Sequence, residues 1–539
     1  MPLPADGRNL PWPPPDLIAP FNTMAEHDAW YSGDPERIAA FFGRITQTDT
    51  IGDGSARWSR FWRRNQTARG QRSRATLHVP VPGDIAAMNA SMLFGEEPKI
   101  TIPEAHGEAK NADAEAAEKS LLDLADRAGL FARLSEAAEQ CAAIGGVYLK
   151  IAWDQTVADV PIILPAQADT AVPEFSLGFL RAVTFYRVVR RVSGSNEVWR
   201  WLERYEPGFI LNGLYKGSDT QLGESVSLEA IEATAGKLPM IRLADPTMLA
   251  VVYIPNMRPN RLYRGSPLGQ SDYSGVEGIF DALDETYTSW MRDVRLAKGR
   301  LVVPQDYLNV TAVDGATRAA FDADREVYSP IGSEPGEKAG ITITQFAIRS
   351  VEHEQTTTNL MIRAFESAGY NPQTFGINAS GDTSASGVAL RIRERRTQIT
   401  RSRKSQMWQS PMADILHKLL LVWAAAPFNE PIATLDFRPE VELADGLPAD
   451  PLETTQAVQQ LAAASAASRQ TLVRMVHPEW DQDQINAEVA LIADESKITI
   501  PDPSQFLGGN MPGTMPANGP GADAQNGGNG GSNGNGAGA

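Results

Sequence analysis

Seven cations, Arg391, Arg393, Arg395, Arg396, Arg401, Arg403 and Lys404, stand within fourteen residues that hold a single acid, Glu394. Guanidinium groups at that density can contact phosphates or pair bidentately with carboxylates. At about 100° per residue they leave a helix in several directions. The spacing therefore does not encode one stripe facing a nucleic acid, and a solvated helix face is the plain alternative.

Two other stretches could bind rather than react. "NPQTFGINASGDTSAS" before the cations is small and neutral apart from Asp382, and its glycines permit backbone shapes that change easily. Between residues 301 and 347, Asp306, Asp314, Asp322, Asp324, Glu326, Glu334 and Glu337 outweigh Arg318, Arg325 and Lys338, which offers negative charge to a partner. Carboxylate pairs such as Asp322 and Asp324 are more often solvated loop charges than a general acid and base.

Enzyme constellations are missing. Gly236-Lys237 precedes Leu238 rather than the Ser or Thr of a phosphate-binding loop, which argues against a P-loop ATPase. The histidines are scattered, and "HEQTT" at His353 lacks the second His of a zinc pair. Gly530-Gly531-Ser532-Asn533-Gly534 fits G-x-S-x-G but lies in a low-complexity tail without a strand and helix to form a nucleophile elbow. No catalytic residue, cofactor or metal is expected.

The chain has 539 residues, 42% of them hydrophobic, and a formal charge of −17. A core divided among several modules is expected, as is repulsion of DNA except at local basic patches. Cys141 is the lone cysteine, and "MPLPADGRNLPWPPPDL" is no secretion signal, so a reducing compartment is the default expectation. The longest apolar stretch, Ile415 to Phe428, is broken by His417 and Lys418 and falls short of the roughly 20 residues of a membrane span.

The elements that must position these stretches follow from periodicity. Residues up to about 25 are Pro-rich and read as extended; a helix then starts at Asp34, Pro35 and Glu36. "VPGDIAAMNASMLFG" reads as a helix with Ile85, Met88 and Met92 on one face, and Asn111 to Cys141 as helical. "GGVYLKIAWD" and "FLRAVTFYRVVRRVSGSNEVWRWLERYE" alternate as half-buried strands do. Ser274 and Glu277 fit a capping box before a long amphipathic helix, and a second helix covers Val351 to Ala368. From Val388 through Ile392, Ile399, Met412, Ile415, Leu416, Leu419 and Trp423 runs a helix of roughly 40 residues that Pro411 should kink. Helices fill Leu452 to Glu495, and the Gly/Asn-rich end cannot bury enough apolar surface to order itself. The class is α+β.

This order, together with "HVPVPGDIAAMNASMLFGEEPKI", "GQSDYSGVEGIFDALDETY" and "ASGVALRIRERRTQITRSRKSQMW", resembles the portal proteins of tailed bacteriophages over roughly residues 30 to 500. The resemblance implies a homo-oligomeric ring, typically of twelve subunits, at one capsid vertex. Through it a terminase motor drives double-stranded DNA, and an adaptor and tail proteins attach beneath. The major capsid protein and a scaffold are further implied partners, with assembly in the host cytoplasm and residence in the virion. No enzymatic activity, cofactor or membrane partner is implied. The rival readings are another capsid or tail structural protein, or a DNA-processing enzyme.

Mapped by order, the resemblance implies an N-terminal arm at 1–24, an α/β wing at 25–270, stem helices at 271–300 and 348–369, and a β-rich clip at 301–347. It implies a channel loop at 370–387, a kinked spine helix at 388–427, a helical crown at 428–500 and a disordered tail at 501–539. Phe375, Asn378, Ser380, Asp382, Thr383 and Ser384 would face DNA in the channel. Asp322, Asp324, Glu326, Glu334 and Glu337 would dock the adaptor. The seven cations of the spine would bond neighbouring subunits or touch DNA phosphate. The Gly/Asn tail and residues 161–175 depart from the family pattern.

Overall fold

The computed structural model describes residues 3–4, 6–48, 76–106, 111–154, 157–297, 300–302, 310–313, 316–319, 342–344, 348–377, 387–425, 427–428, 437–443, 451–477, 480 and 482–495. For 43–48, 300–302, 310–313, 316–319, 342–344, 387–394, 451–454, 483 and 495 it describes the backbone alone. Residues Met1–Gly446 form one unit and Leu447–Ala539 another.

Runs that alternate β-branched and aromatic residues with polar ones become antiparallel strands. Asp6–Pro11, Gln221–Val226, Phe209–Gly217, Val198–Glu206, Phe179–Arg191 and Ala171–Ser176 lie side by side in that order, and Met240–Arg242 joins Phe209–Gly217 to complete a seven-stranded sheet. Alternation turns Val183, Phe185, Tyr205 and Ile210 to the main core. It turns Leu202, Tyr215 and Leu222 to the other face, where Leu3, Trp12 and Tyr186 cover them. A three-stranded sheet joins Val251–Pro255, Gly146–Ala152 and Ile162–Gln167. Residues 161–175 therefore bridge the two sheets, giving Ile162–Gln167 to one and Ala171–Ser176 to the other.

The proline-rich start departs from the extended reading: Pro15–Ser32 is helical. Pro15 sits in the first turn, where its missing N–H is not needed, and Leu17, Met24 and Trp30 are buried. Trp30, 1% exposed, has the rings of Phe42, His78 and Phe280 each 5.8 Å away. The next helix begins as its residues require, with the Glu36 N–H donating to Asp34 Oδ1 at 3.0 Å. In Val81–Phe94 the buried face centres on Ile85, Asn89 and Leu93, leaving Met88 and Met92 half-buried. A polar residue thus stands on a core face.

Gly387–Ala424 is one helix through Pro411. Trp408, Met412, Ile415, Leu416, Leu419 and Leu420 are buried, each aliphatic side chain contributing about 1.5–3 kcal/mol. Ile399, read as part of this apolar face, is 53% exposed, because the helix turns Thr397 and Thr400 inward instead. Between the two other long helices, Arg300–Val302 pairs with Thr342–Thr344, and Val310–Val313 with Ala316–Ala319, both antiparallel.

The second unit holds the helices Pro451–Ala463, Arg469–Val476 and Gln482–Glu495. Ser468 caps the middle one by accepting the Thr471 N–H at 3.2 Å, and Val473 and Ile485 are its buried residues among those described.

Candidate functional site

Two helices, Glu277–Leu296 and Ser350–Ala368, pair over their length. Asp293 at the end of the first meets Arg349 and His353 at the start of the second, at 3.0 and 3.1 Å. The helices therefore run antiparallel. Hydrogen bonds from His353 and then Arg349 hold the Asp293 carboxyl below its ordinary value, and the His353 ring stacks on Trp290 at 5.9 Å.

Burial fades along the pair. Near the main core Phe280, Leu283, Ala364 and Phe365 are buried, whereas Tyr287, Trp290, Met291, Leu360 and Met361 are half-buried. At the far end Val294, Ile348 and Val351 are 43%, 44% and 60% exposed.

A strap from residue 77 crosses the first helix. The Leu77 N–H donates to Thr288 Oγ1 and the Val79 N–H to Asp284 Oδ1, while His78 Nδ1 lies 2.8 Å from Asp284 Oδ2. The capping box expected of Ser274 and Glu277 does not form. Val276 is the cap, and the Glu277 carboxylate takes the Gly275 N–H and the ring of buried His27 instead.

Where the pair meets the body, a buried polar network ties four elements together. Lys404 Nζ donates to Asp272 Oδ2 at 2.6 Å, Asn89 Oδ1 at 2.8 Å and the Tyr370 hydroxyl at 2.9 Å. All three ammonium protons are thereby used. Tyr370 in turn donates to Asp272 Oδ2, Asn256 Nδ2 donates to Asp272 Oδ1, and Asn89 Nδ2 donates to the Ala138 carbonyl. Side-chain exposure is 1% for Lys404 and 0% for Asp272. Burial, then the Asp272 charge, holds the Tyr370 phenol well above its usual value, so it stays a donor.

One helical stripe, Thr397, Thr400 and Lys404, faces the segment that follows the second helix. Thr397 Oγ1 accepts the Asn371 N–H at 2.8 Å, and Thr400 Oγ1 donates to the Gly369 carbonyl at 2.7 Å. Gly369 has φ +97, and a Cβ there would lie 2.8 Å from Thr400 Oγ1, so only glycine fits this turn. Phe375 stacks on Phe365 at 3.8 Å. Its side chain is thereby packed against the second helix.

The seven cations separate accordingly. Lys404 and Arg401 depart from the expected contact with a neighbouring subunit or DNA phosphate: Lys404 is saturated inside the subunit, and Arg401, 6% exposed, donates to the Met92 carbonyl at 2.9 Å. Arg395, Arg396 and Arg403 are exposed, with Arg396 also reaching the Glu366 carbonyl at 2.6 Å. Arg391 and Arg393 lie on the helix, but their side chains fall outside the described residues, as do Asn378, Ser380, Asp382, Thr383 and Ser384, and Asp322, Asp324, Glu326, Glu334 and Glu337.

Sequence reading missed Asp272, Asn256, Asn89 and Tyr370. The available signal was Asn89 at core spacing between Ile85 and Leu93. The arrangement is suited to holding elements rather than to transferring groups. Burial pushes the Cys141 thiol up, away from thiolate chemistry, and the network's charged pair, Lys404 and Asp272, is buried.

A sequence profile described as "Phage portal protein, SPP1 Gp6-like" matches residues 57–502. Two similar solved structures are described as "Virion of native gene transfer agent (GTA) particle" and "Neck of empty GTA particle computed with C6 symmetry". Their chains are 11% and 13% identical to this one, and each match covers 87% of this chain and 96% of that chain at a TM-score of 0.42. No curated protein matches the sequence.

Proposed function

We propose, from the premise that this chain belongs to the phage portal protein family of the SPP1 Gp6-like type, which the match over residues 57–502 shows, that it assembles into a ring of twelve copies at one capsid vertex. The ring is the channel for double-stranded DNA during packaging and ejection, and it docks the terminase motor on the way in and the head-to-tail adaptor afterwards. Proteins of this family are structural, and no catalysis is assigned to this chain.

The observation that supports the ring is the far half of the helix pair. At that end Val294, Ile348 and Val351 are exposed; apolar surface left open is surface for a neighbour. Charge agrees with a channel. Twelve copies of a −17 chain carry on the order of 200 negative charges, which repel phosphate within a Debye length of about 10 Å and keep DNA from gripping the wall. Arg395, Arg396 and Arg403 are left to bond a neighbour's carboxylates or touch DNA locally. Class averages of the purified protein by electron microscopy should show rings with a central hole; monodisperse monomers would overturn the proposal.

The division into wing, stem, clip, channel loop, spine and crown is part of the same proposal, with the acidic clip docking the adaptor. Reversing charge at Asp322 and Asp324 together should weaken adaptor binding about tenfold at low salt and less at high salt, measured by titration. Equal affinity at low salt refutes this docking.

A further inference from the structure

The hairpin between Ala171–Ser176 and Phe179–Arg191 holds two large apolar side chains in solvent, Leu177 at 97% exposure and Phe179 at 79%. Leu177 has φ +51, a left-handed conformation that glycine or asparagine adopts at less cost. The turn's own geometry therefore does not call for leucine. An apolar side chain kept where the backbone disfavours it and water surrounds it marks a contact surface.

Farther along the same strand lies an open groove of about 800 Å³ lined by Trp153, Val157, Ile162, Leu164, Phe185 and Trp201. Val157 is 77% and Trp153 38% exposed at its rim. Its aromatic floor is held by cations: Lys237 Nζ lies 4.5 Å over Trp201, and Lys150, ion-paired with Glu203, lies 4.8 Å over Phe185. A volume of this size accepts small-molecule ligands, so it has room for a leucine and a phenylalanine side chain.

Phe179 and Phe185 are six residues apart on one continuous strand, a separation of about 20 Å at 3.3 Å per residue. The strand holds the two features apart, so the knob cannot reach the groove of its own subunit. A knob and a receptive groove at separate places on one molecule can meet reciprocally in a two-fold pair or head to tail, and the head-to-tail contact closes into a ring when the rotation between copies allows. We propose that Leu177 and Phe179 of one copy of this chain seat in the Trp153–Trp201 groove of the next copy. The proposal rests on the ring reading above and names one lateral contact within it.

The full chain with Leu177→Cys and Val157→Cys together tests it, because Cys141, the sole native cysteine, is buried. Under mild oxidation a ladder of disulfide-linked oligomers extending past the dimer is expected, with none from either single variant. Leu177→Asp, at a position too exposed to affect folding, should cut the assembled fraction about tenfold at fixed concentration. Rings that form normally with Leu177→Asp and give no cross-link, or a ladder that stops at the dimer, overturn the contact and leave the ring reading standing. Wild-type protein that stays monomeric overturns the ring reading and the contact with it.

Discussion

Replacing Lys404 by alanine is expected to destabilise the subunit by about 3–5 kcal/mol, the usual cost of removing one partner of a buried ion pair. The loss goes beyond one bond. Asp272, fully buried, would be left with only the neutral donors Tyr370 and Asn256, and the Asn89 carbonyl oxygen would lose its donor. Adding Asp272→Asn to Lys404→Met should recover a large part of the loss, since no carboxyl is then buried without its cation while an oxygen remains for the Tyr370 hydroxyl. Urea unfolding of the three variants measures both effects. A loss below about 1 kcal/mol in Lys404→Ala would mean that the network does not hold the helix pair to the long helix.

Deleting Asn378 to Thr383 is expected to leave rings intact and to reduce packaged DNA by about tenfold or more. The cut spares Phe375 because that ring stacks on Phe365, and it spares the Asn371 and Gly369 contacts to Thr397 and Thr400; the base that orients both helices then survives. The removed residues are small and, apart from Asp382, uncharged. Lining a channel with them gives a collar of low affinity, in which no phosphate is neutralised and none resists movement. Counting subunits by microscopy and nuclease-protected DNA per particle separates the two outcomes. Particles filled normally by shortened rings would show that this loop is only a connection between helices.

The sequence by itself determined the class, the family and the longest helices and strands. Those follow from local rules: period 2 in "FLRAVTFYRVVRR", period 3.6 from Glu277 to Leu296, Asp34 and Pro35 opening a helix, and Gly369 closing one. It did not determine which charges of "RIRERRTQITRSRK" point outward. That depends on what stands opposite each side chain, and the partners of Lys404 come from positions 89, 272 and 370, distant in the chain. The same competition moved Glu277 from a helix cap to His27, exposed Ile399 while burying Thr397 and Thr400, and let a helix begin at Pro15 among prolines that read as extended. Periodicity records the average apolarity of a face. A polar side chain deep in the core is stable only when its hydrogen-bond partners converge from elsewhere, and that convergence exists only in the tertiary structure.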